Sequence, residues 1–448
     1  MTGQMIKVVK FGGSSLADAA QFQKAGQIIR KEEERRYVVP SAPGKRSPDD
    51  TKVTDMLYGC YGAALTDEED FSEEFEDRLS QIRKRYEEII EGLGISLDLE
   101  EEFLEIREKF LKKTGRDYAA SRGEYLNGRI MAEYLGYTFV DAADVIFFDA
   151  SGNFDAEKTD RILSEVLSQT ERAVIPGFYG SMPDGSVKTF SRGGSDITGS
   201  IVAKAVHADM YENWTDVSGF LIADPRVVDN PKAIDVITYR ELRELSYMGA
   251  TVLHEDAIFP VRQEGIPINI RNTNIPADPG TLIVENTCRK PRFVITGIAG
   301  KKDFASVTVE KAMMNAEVGF CVKVLQVFAD NGIAIEHMPS GIDTLTVFVH
   351  QDEFADKEQK VIAGIHRAVH PDFLELESDL ALIAVVGRGM QTARGVSGRI
   401  FSALAHANVK VKMIDQGSSG LNVIIGVRNH DFEDAIRAIY DIFVTTMI

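Results

Sequence analysis

A lysine and a turn rich in glycine and serine stand close to the start of the chain, in VVKFGGSSLA at residues 8–17. The β-branched run predicts a strand that ends near Lys10, and a helix is expected after the turn. Glycines let backbone N–H groups approach phosphate oxygens, and a helix N-terminus adds partial positive charge. The stretch therefore favours a phosphate site with Lys10 on the β- and γ-phosphates. It lacks the GxxxxGK[ST] pattern of a P-loop, and a plain strand-to-helix turn with a surface lysine explains it equally well.

A second glycine turn, FSRGGSD at residues 190–196, precedes an apolar helix. The arginine in this turn, Arg192, is well placed to bind a carboxylate through two parallel hydrogen bonds. Ser195 and Asp196 are also explained without any ligand, because both residue types frequently cap a helix N-terminus.

Two further stretches carry candidate residues. WTDVSGFLIADPR places Thr215 and Asp216 at the end of a predicted strand. Arg226 follows in an Asp-Pro turn, where it could face phosphate, although such turns are common without any ligand. SRGEYLNG places Glu124 on a helix beside arginines, a pattern that by itself usually means a surface ion pair of small energy.

Composition excludes several classes of protein. The chain has 448 residues and 44% hydrophobic residues, which predicts two or three globular domains. Its formal charge is −19 and no Lys/Arg cluster is free of acids, which disfavours nucleic-acid binding. No apolar stretch has the length of a membrane span, and no signal peptide is evident. Three scattered cysteines fit a reducing compartment, so we expect a soluble cytoplasmic protein.

The elements that must position these residues alternate between strand and helix in the first part of the chain. MIKVVKF and YVVPSA read as strands around a helix, which predicts a parallel sheet covered on both faces. From about residue 66 to 115 apolar residues recur at spacings of three and four, which indicates an inserted helical hairpin whose charges form a solvated face. This α/β domain is expected to span 1–292.

The C-terminal part contains an internal repeat. Three pairs of positions are each 76 residues apart, namely Gly319 and Gly395, Ile333 and Val409, and Gly341 and Gly417. Each copy has the order of a small βαββαβ module, which predicts modules at 302–374 and 378–448. Such a pair favours regulation, but a dimerisation or packing domain fits the repeat equally well.

These motifs together resemble the aspartokinases. KFGGSSLA, VVPSAPGK, SRGEYLNG, PGFYG, FSRGGSD and WTDVSGFLIADPR occur in that family's order and cover nearly the whole chain. The resemblance implies an α/β fold, the amino-acid-kinase-type three-layer sandwich with a mainly parallel sheet. Two ferredoxin-like ACT modules are implied after it.

The resemblance also implies an activity and a set of site residues. The expected reaction transfers the γ-phosphoryl of ATP, with Mg²⁺, to the side-chain carboxylate of L-aspartate, as the first step of lysine, threonine and methionine biosynthesis. The implied ATP-binding residues are Lys10, Phe11, Gly12, Gly13, Ser14, Thr215, Asp216 and Arg226, of which Lys10 and Asp216 are the catalytic candidates. The implied aspartate-binding residues are Ser41, Glu124, Phe178, Arg192, Ser195 and Asp196. No metal ligand is identified.

Two stretches depart from the family pattern. The family commonly has a substrate-contacting threonine shortly after the position of Ser41, where this chain has the loop Pro43–Asp50. Asn274 stands nearest to the place where a lysine sometimes occurs beside the nucleotide.

For the C-terminal modules the resemblance implies an amino-acid effector, lysine or threonine, bound where modules pair, and hence a homodimer or a larger oligomer. The implied effector residues are Met314, Gly319, Phe320, Ile335 and Glu336, with Glu336 toward the effector's ammonium. Met314 and Phe320 are at least as well explained by core packing.

Two alternatives remain open. The same fold could phosphorylate another acidic amino acid such as glutamate, or the chain could be an amino-acid sensor with a degenerate kinase domain. The double module argues against the first, and the intact set of Lys10, Arg192 and Asp196 argues against the second. Because the chain ends with the second module, a monofunctional kinase is expected.

Overall fold

The structure, a computed structural model, describes residues 5–65, 71–191, 193–250, 253 and 257–445. It divides into two compact units. The first comprises Met1–Phe220, Asp235–Tyr239 and Thr251–Thr287, and the second comprises Leu221–Ile234, Arg240–Ala250 and Cys288–Ile448. Two short segments before residue 250 thus group with the C-terminal unit, and the domain boundaries drawn from the sequence stay predictions.

The strands and helices of the described residues are as follows. The strands are β1 (Lys7–Phe11), β2 (Arg35–Pro40), β3 (Thr138–Phe139), β4 (Ala173–Val174), β5 (Tyr179–Ser181), β6 (Val187–Thr189), β7 (Met210–Thr215), β8 (Val236–Thr238), β9 (Ile268–Asn272), β10 (Thr281–Val284), β11 (Gly297–Glu310), β12 (Thr344–His350), β13 (Phe373–Val386), β14 (Met413–Asp415) and β15 (Asn422–Arg428). The helices are α1 (Ala19–Arg30), α2 (Val53–Ala63), α3 (Phe71–Leu93), α4 (Glu100–Leu111), α5 (Arg116–Leu135), α6 (Ala142–Val145), α7 (Ala156–Ser168), α8 (Gly194–Ala205), α9 (Tyr239–Tyr247), α10 (Phe259–Gln263), α11 (Phe320–Asp330), α12 (Gln351–Phe354), α13 (Glu358–Val369), α14 (Val396–His406) and α15 (Phe432–Tyr440).

The first unit is built on a mostly parallel sheet, as the βαβ rhythm predicts. Its strand order within the described residues is β3-β4-β2-β1-β7-β9-β10-β8. Every neighbouring pair is parallel except β9 with β10. Because β2, β1 and β7 are adjacent and parallel, their carboxyl ends meet at one edge of the sheet. This is the edge at which the glycine turn after Lys10 begins.

Successive side chains of β1 point to opposite faces of the sheet, because a strand repeats every two residues. Val9 and Phe11 lie in a hydrophobic core shared with α1, α2, α3, α4 and α5. Lys10 points to the other face, where the first turn of α8 contacts it. The sheet therefore lies between two helical layers, and its alternation decides which layer Lys10 meets.

Helices α3 and α4 occupy the region in which the sequence predicts an inserted hairpin. Their apolar stripe is buried in the core of the first unit through Phe75, Leu79, Ile82, Tyr86, Ile89, Phe103, Ile106 and Phe110. Burial of each such side chain contributes about 1.5–3 kcal/mol. The expectation that the charges of this hairpin all face solvent is wrong for Arg85, whose side chain is only 3% exposed. The cause is a set of hydrogen bonds that the sequence pattern does not reveal.

The second unit contains an antiparallel sheet with the order β12-β11-β13-β15-β14 among its described residues. The long strands β11 and β13 run through both modules. Residues 304–310 of β11 pair with β12, whereas residues 297–301 pair with residues 382–386 of β13, which in turn pair with β15. The strand segment that completes the second module therefore precedes the first module in the chain.

Helix α9 explains why residues 240–250 group with the second unit. The Glu241 carboxylate is fully buried and accepts hydrogen bonds from Thr296 Oγ1 (2.6 Å) and Arg388 Nη1 (2.9 Å). Asn422 Nδ2 donates to Glu244 one turn later, at 2.6 Å. A buried carboxylate is costly unless it is paired, so these bonds hold the helix to this unit.

Candidate active site

Lys10 and Asp196 form an ion pair where β1 ends. Lys10 is only 7% exposed, and its Nζ lies 2.6 Å from Asp196 Oδ1 in the first turn of α8. Asn213 Nδ2, from the neighbouring strand β7, donates to the same carboxylate oxygen at 2.7 Å. Two residues that are 186 positions apart in the sequence are thus brought together by the packing of α8 on the sheet.

The glycine turn after Lys10 is held by a close approach of two backbones. The Gly12 N–H donates to the Trp214 carbonyl (2.9 Å), and Gly13 begins a single 3₁₀ turn that ends at Leu16. The Gly44 N–H donates to the Gly13 carbonyl at 2.8 Å. A Cβ on Gly44 would lie 2.6 Å from the carbonyl carbon of Gly13, too close for any side chain. The glycine at position 44 is therefore required by packing against the turn.

We expect Gly44→Ala to destabilise the fold by about 1–3 kcal/mol, the usual cost of forcing an extra carbon into a packed site. Gly62→Ala is the matched control, because a Cβ at Gly62 in α2 would meet nothing within 4 Å. Urea unfolding followed by circular dichroism measures both variants. Equal stability of the Gly44 variant and the wild type would contradict the proposed crowding.

Glu124 lies on α5 with only 6% of its surface exposed. The Ala42 N–H donates to its carboxylate, whereas Oε2 has no hydrogen-bond partner among the described residues. Burial raises the pKa of Glu124 to about 8, although the hydrogen bond from Ala42 and the charge of Lys10 act in the opposite direction. A buried carboxylate with an open oxygen is suited to receive a cationic group from a ligand.

Ser41 is held between β1 and α5. Its N–H donates to the Phe11 carbonyl (3.0 Å), and its own carbonyl accepts a hydrogen bond from Asn127 Nδ2 (2.6 Å). Asn127 follows Glu124 by three residues, so the two side chains share one face of α5. The buried Oδ1 of Asn127 also has no partner within the described part of the chain. The end of β2 and the Glu124 face of α5 are thus adjacent.

Phe178 and Ser195 are brought to the same region by the segment after β4. The Gly177 N–H donates to the Pro40 carbonyl, and a Cβ on Gly177 would lie 2.6 Å from Ser195 Oγ. Phe178 has a φ of 82°, which is strained for a residue with a side chain. Its N–H donates to Thr198 Oγ1 on α8 at 3.0 Å, which holds this backbone in place.

The candidate nucleotide residues on β7 lie beside the glycine turn. The Thr215 carbonyl accepts a hydrogen bond from the Thr273 N–H (2.8 Å), and Thr215 Oγ1 donates to Asp216 Oδ1 (3.2 Å). Asp216 is exposed just after the end of β7. Ser15 in the glycine turn shares a buried hydrogen bond with Thr273 at 2.7 Å, so both segments contact one residue.

The remaining candidate residues are Arg226 and Arg192. Arg226 belongs to the second unit, where its side chain is 88% exposed and pairs with Asp224 at 2.6 Å. Arg192 lies outside the described residues. Their proposed contacts with nucleotide and substrate therefore stay predictions.

The sequence of this chain is similar to those of proteins whose family is known. The amino acid kinase family model matches residues 5–272, and an ACT domain model matches residues 383–443. Aspartokinase 3 of Bacillus subtilis is 38% identical over 451 residues, which cover 98% of each chain. The chain belongs to the aspartokinases, within the amino acid kinase family. The resemblance drawn from its motifs is confirmed.

Solved aspartokinase structures agree with this assignment. The crystal structure of Clostridium acetobutylicum aspartate kinase has 50% sequence identity and a TM-score of 0.88, and the match covers 98% of this chain and 100% of that one. The structure of Escherichia coli aspartokinase III in complex with lysine and aspartate, described as the T-state, has 25% identity and a TM-score of 0.69, covering 97% and 99%. The predicted fold class is confirmed, with a mostly parallel α/β sheet followed by an ACT region that has a separate antiparallel sheet.

The candidate effector residues lie in the first module of the aspartokinase tail. Met314 and Phe320 are buried in that module's hydrophobic core, and Ile335 packs against it. Gly319 caps α11 in the left-handed region, with a φ of 81°. Core packing thus accounts for Met314 and Phe320, and any contact between these residues and an effector stays a prediction.

Among the candidate effector residues, Glu336 has both its backbone and its carboxylate in hydrogen bonds. Its N–H donates to the Phe348 carbonyl at 2.9 Å, which fixes the backbone beside β12. Burial and the hydrogen bond to the Glu336 carboxylate raise the pKa of Tyr247 to about 12. The Glu336 carboxylate therefore accepts a hydrogen bond from Tyr247, and its Oε1 lies 3.8 Å from His350 Nε2.

Sequence reasoning missed several residues that build this site. Asn213, Asn127 and Thr273 bind the candidate residues Asp196, Ser41 and Thr215 directly. A signal existed only for Asn127, whose spacing of three from Glu124 places both on one helical face. Asn213 lies on β7 and Thr273 directly follows β9, both remote in sequence from their partners, and no local pattern identifies those partners.

Proposed function

We propose that this aspartokinase transfers the γ-phosphoryl group of ATP to the side-chain carboxylate of L-aspartate, giving 4-phospho-L-aspartate and ADP. The observation that carries the proposal is the pairing of two features at one sheet edge. One is the Lys10–Asp196 ion pair beside the glycine turn, and the other is the buried Glu124 carboxylate with an open oxygen. The first suits a phosphate and the second suits the ammonium of an amino acid.

The proposed phosphoryl transfer requires the protein mainly to position the two substrates and to stabilise the negative charge of the transferred group. The side-chain carboxylate of aspartate is already ionised at neutral pH, so no general base is needed to make it a nucleophile. Negative charge spreads over the transferred phosphoryl group, and a lysine with backbone N–H donors stabilises it. In this proposal Lys10 and the backbone N–H groups of Gly13 and Ser14 supply those donors, and no covalent enzyme intermediate forms. The Gly12 N–H is already bonded to the Trp214 carbonyl, so Gly12 contributes through the shape of the turn.

The acceptor is proposed to bind through its α-amino acid groups. Glu124 receives the ammonium, and Arg192 receives the α-carboxylate. Ser41, Phe178 and Ser195 are proposed to line the space around the bound aspartate. Ser41 contacts β1 and α5, and Phe178 contacts α8.

Mg²⁺ is proposed to arrive with the nucleotide as part of the substrate. Within the described residues no group of three or more acidic, histidine or cysteine side chains is arranged to hold a metal ion. Mg²⁺ in nucleotide enzymes commonly relies on phosphates, water and only one or two carboxylates, so this finding is compatible with a Mg·ATP substrate.

An acyl-phosphate trap tests the function. Purified protein, Mg·ATP and L-aspartate are mixed with hydroxylamine, and the coloured hydroxamate is measured with L-glutamate in parallel. Colour that depends on aspartate supports the proposal. Colour with glutamate alone supports the kinase of another acidic amino acid, and the absence of colour with either acid supports the sensor.

Regulation is proposed to act through the ACT region, with lysine as the effector. The Escherichia coli relative binds lysine in the structure that is described as its T-state. We expect Glu336→Gln to raise the lysine concentration for half-inhibition about tenfold, because a charge-assisted hydrogen bond to the ammonium is lost. Uninhibited kcat should not change.

Inhibition curves of the trap assay with lysine and with threonine measure this effect. The control is Glu358→Gln, which changes an exposed acidic residue at the start of α13. Lysine should inhibit this variant at the same concentrations as it inhibits the wild type. An unchanged lysine curve for the Glu336 variant would remove Glu336 from the effector site.

A homodimer through the first module is proposed on its exposed apolar side chains. Val318 is 96% exposed, and Met313, Val322, Met338 and Ile342 are also exposed. The Lys311 N–H donates to the Asp343 carbonyl, which brings the two segments that carry these residues together. Exposed apolar side chains grouped in this way are typical of interfaces.

The location of the protein is proposed to be the cytoplasm. Its three cysteines are free thiols, as expected in a reducing compartment. No helix of the described residues has the length and hydropathy needed to cross a bilayer.

A further inference from the structure

Arg85 is a buried cation that the proposed reaction does not use. It lies on α3 in the helical insertion, and its guanidinium makes three hydrogen bonds. Nη2 donates to the carbonyls of Ala17 (3.0 Å) and Gly44 (2.9 Å), and Nη1 donates to Asp50 Oδ2 (2.8 Å). Burial of an arginine is costly unless its charge and donors are paired. These three bonds satisfy both Nη atoms, whereas Nε has no hydrogen-bond partner among the described residues.

Two of these partners lie on opposite sides of the glycine turn. Ala17 directly follows the 3₁₀ turn that Gly13 begins, and Gly44 is the residue whose backbone crosses Gly13. A single guanidinium therefore joins the exit of the turn to the loop that packs against its entrance. This loop, Pro43–Asp50, is the segment that departs from the family's pattern.

The third partner keeps the guanidinium charge balanced. Burial acts to raise the pKa of Asp50, but hydrogen bonds from Arg46 and Arg85 outweigh it and hold the pKa well below its usual range. Asp50 is thus ionised at neutral pH and fixes the end of the loop to α3.

The helix that carries Arg85 is itself firmly placed. The next residue, Tyr86, is fully buried, and its hydroxyl donates to the Gly123 carbonyl at 2.8 Å, directly before Glu124. Two consecutive residues of α3 thus bind the glycine turn on one side and the Glu124 helix on the other.

We propose that Arg85 is a positioning residue for the nucleotide phosphates, because its guanidinium holds the glycine turn against the loop Pro43–Asp50. This inference rests on the proposed function in that it takes the glycine turn as the phosphate site. Arg85 touches neither reacting group. Its role is to keep backbone N–H groups of the turn in the geometry that phosphate requires.

The test compares Arg85→Ala, Arg85→Lys and the control Arg83→Ala. Arg83 lies on the same helix, is partly exposed and pairs with Glu87 and Glu100. Isothermal titration with Mg·ADP in the absence of aspartate gives the nucleotide Kd, and the trap assay gives kcat and both KM values. Circular dichroism identifies the temperature range in which each variant is folded.

For Arg85→Ala we expect a nucleotide Kd and an ATP KM raised about tenfold, and kcat lowered about tenfold, with the aspartate KM within threefold of wild type. Arg85→Lys should fall between this variant and the wild type, because an ammonium replaces only some of the hydrogen bonds. Low concentrations of guanidinium ion should restore part of the nucleotide affinity of Arg85→Ala. Arg83→Ala should stay within twofold of wild type throughout.

A folded Arg85→Ala protein that binds Mg·ADP as the wild type does would overturn the inference. If Arg85→Ala does not fold at the assay temperature, Arg85→Lys decides, and wild-type Kd and kcat in that variant would also overturn it. A wild-type protein that binds Mg·ADP but makes no hydroxamate would reject the proposed function, while the Kd comparison would still decide the role of Arg85.

Discussion

Replacing Lys10 with alanine should lower kcat by about 10³-fold in the hydroxamate assay. The loss of one preorganised donor to a developing negative charge usually reduces turnover by 10²–10³-fold, and Lys10 also supplies a full charge in a buried place. Its Nζ is held at the end of β1 by Asp196, beside the glycine turn.

Lys7→Ala is the matched control for this experiment. Lys7 lies on the same strand, but it pairs with Glu32 on the opposite side of the sheet from Asp196. The control should keep kcat within threefold of wild type. Lys10→Met, which keeps most of the side-chain volume, separates loss of charge from loss of packing, and circular dichroism checks that both variants fold.

The outcome also separates the proposed kinase from a sensor. An aspartate kinase loses turnover when Lys10 is replaced with alanine, whereas it still binds the free amino acid L-lysine as effector. Full turnover in a folded Lys10→Ala protein would refute the assignment of Lys10 to the phosphates. Lysine binding without turnover in the wild type and the variant alike would favour the sensor.

Above pH 8, where Glu124 is ionised, Glu124→Gln should lower kcat/KM for aspartate about 100-fold, mainly through KM. The amide keeps the shape of the side chain but removes the charge that attracts the substrate's ammonium, and a charged hydrogen bond of this kind contributes about 1.5–3 kcal/mol. The KM for ATP should change little. An aspartate KM near the wild-type value would show that the ammonium binds elsewhere.

The pH dependence gives an independent test of Glu124. Because burial raises its pKa to about 8, the residue is mostly protonated at pH 6 and ionised only above the pKa. We therefore expect log(kcat/KM) for aspartate to rise between pH 6 and 8 with a slope approaching one, then to level off. Glu124→Gln should remove this rise, and Glu133→Gln, an exposed residue on the same helix, should retain it.

The same pKa shift affects stability in a defined direction. A carboxyl group with a raised pKa in the folded protein binds its proton more tightly there than in the unfolded chain. The contribution of Glu124 to the free energy of unfolding is thus fully present below pH 4.5 and falls as the pH rises toward about 8. Urea unfolding at several pH values should show a smaller decrease for Glu124→Gln.

Local pattern was sufficient to predict the strand and turn around Lys10, and to predict the parallel sheet. Hydrophobic alternation and glycine chemistry act over a few residues, so they can be read without knowledge of tertiary contacts. The repeat at a period of 76 likewise predicted two modules in the tail. What it did not reveal is that residues 297–301, ahead of the first module, pair with the second. Strand pairing is non-local, and a repeat does not specify the partner of an edge strand.

The amino-acid sequence by itself determined which side chains were candidates for phosphate and amino-acid binding, because residue type and spacing set their chemistry. Tertiary structure alone decided which of them meet. Asp196 reaches Lys10 only because α8 packs on one face of the sheet, and Glu124 acquires its raised pKa only through burial. The sequence pattern predicts that Arg85 is an exposed charge on an amphipathic helix. In the folded protein it is buried and donates hydrogen bonds to the carbonyls of Ala17 and Gly44. Contacts between distant segments depend on packing and desolvation of the whole unit, and a local pattern carries neither quantity.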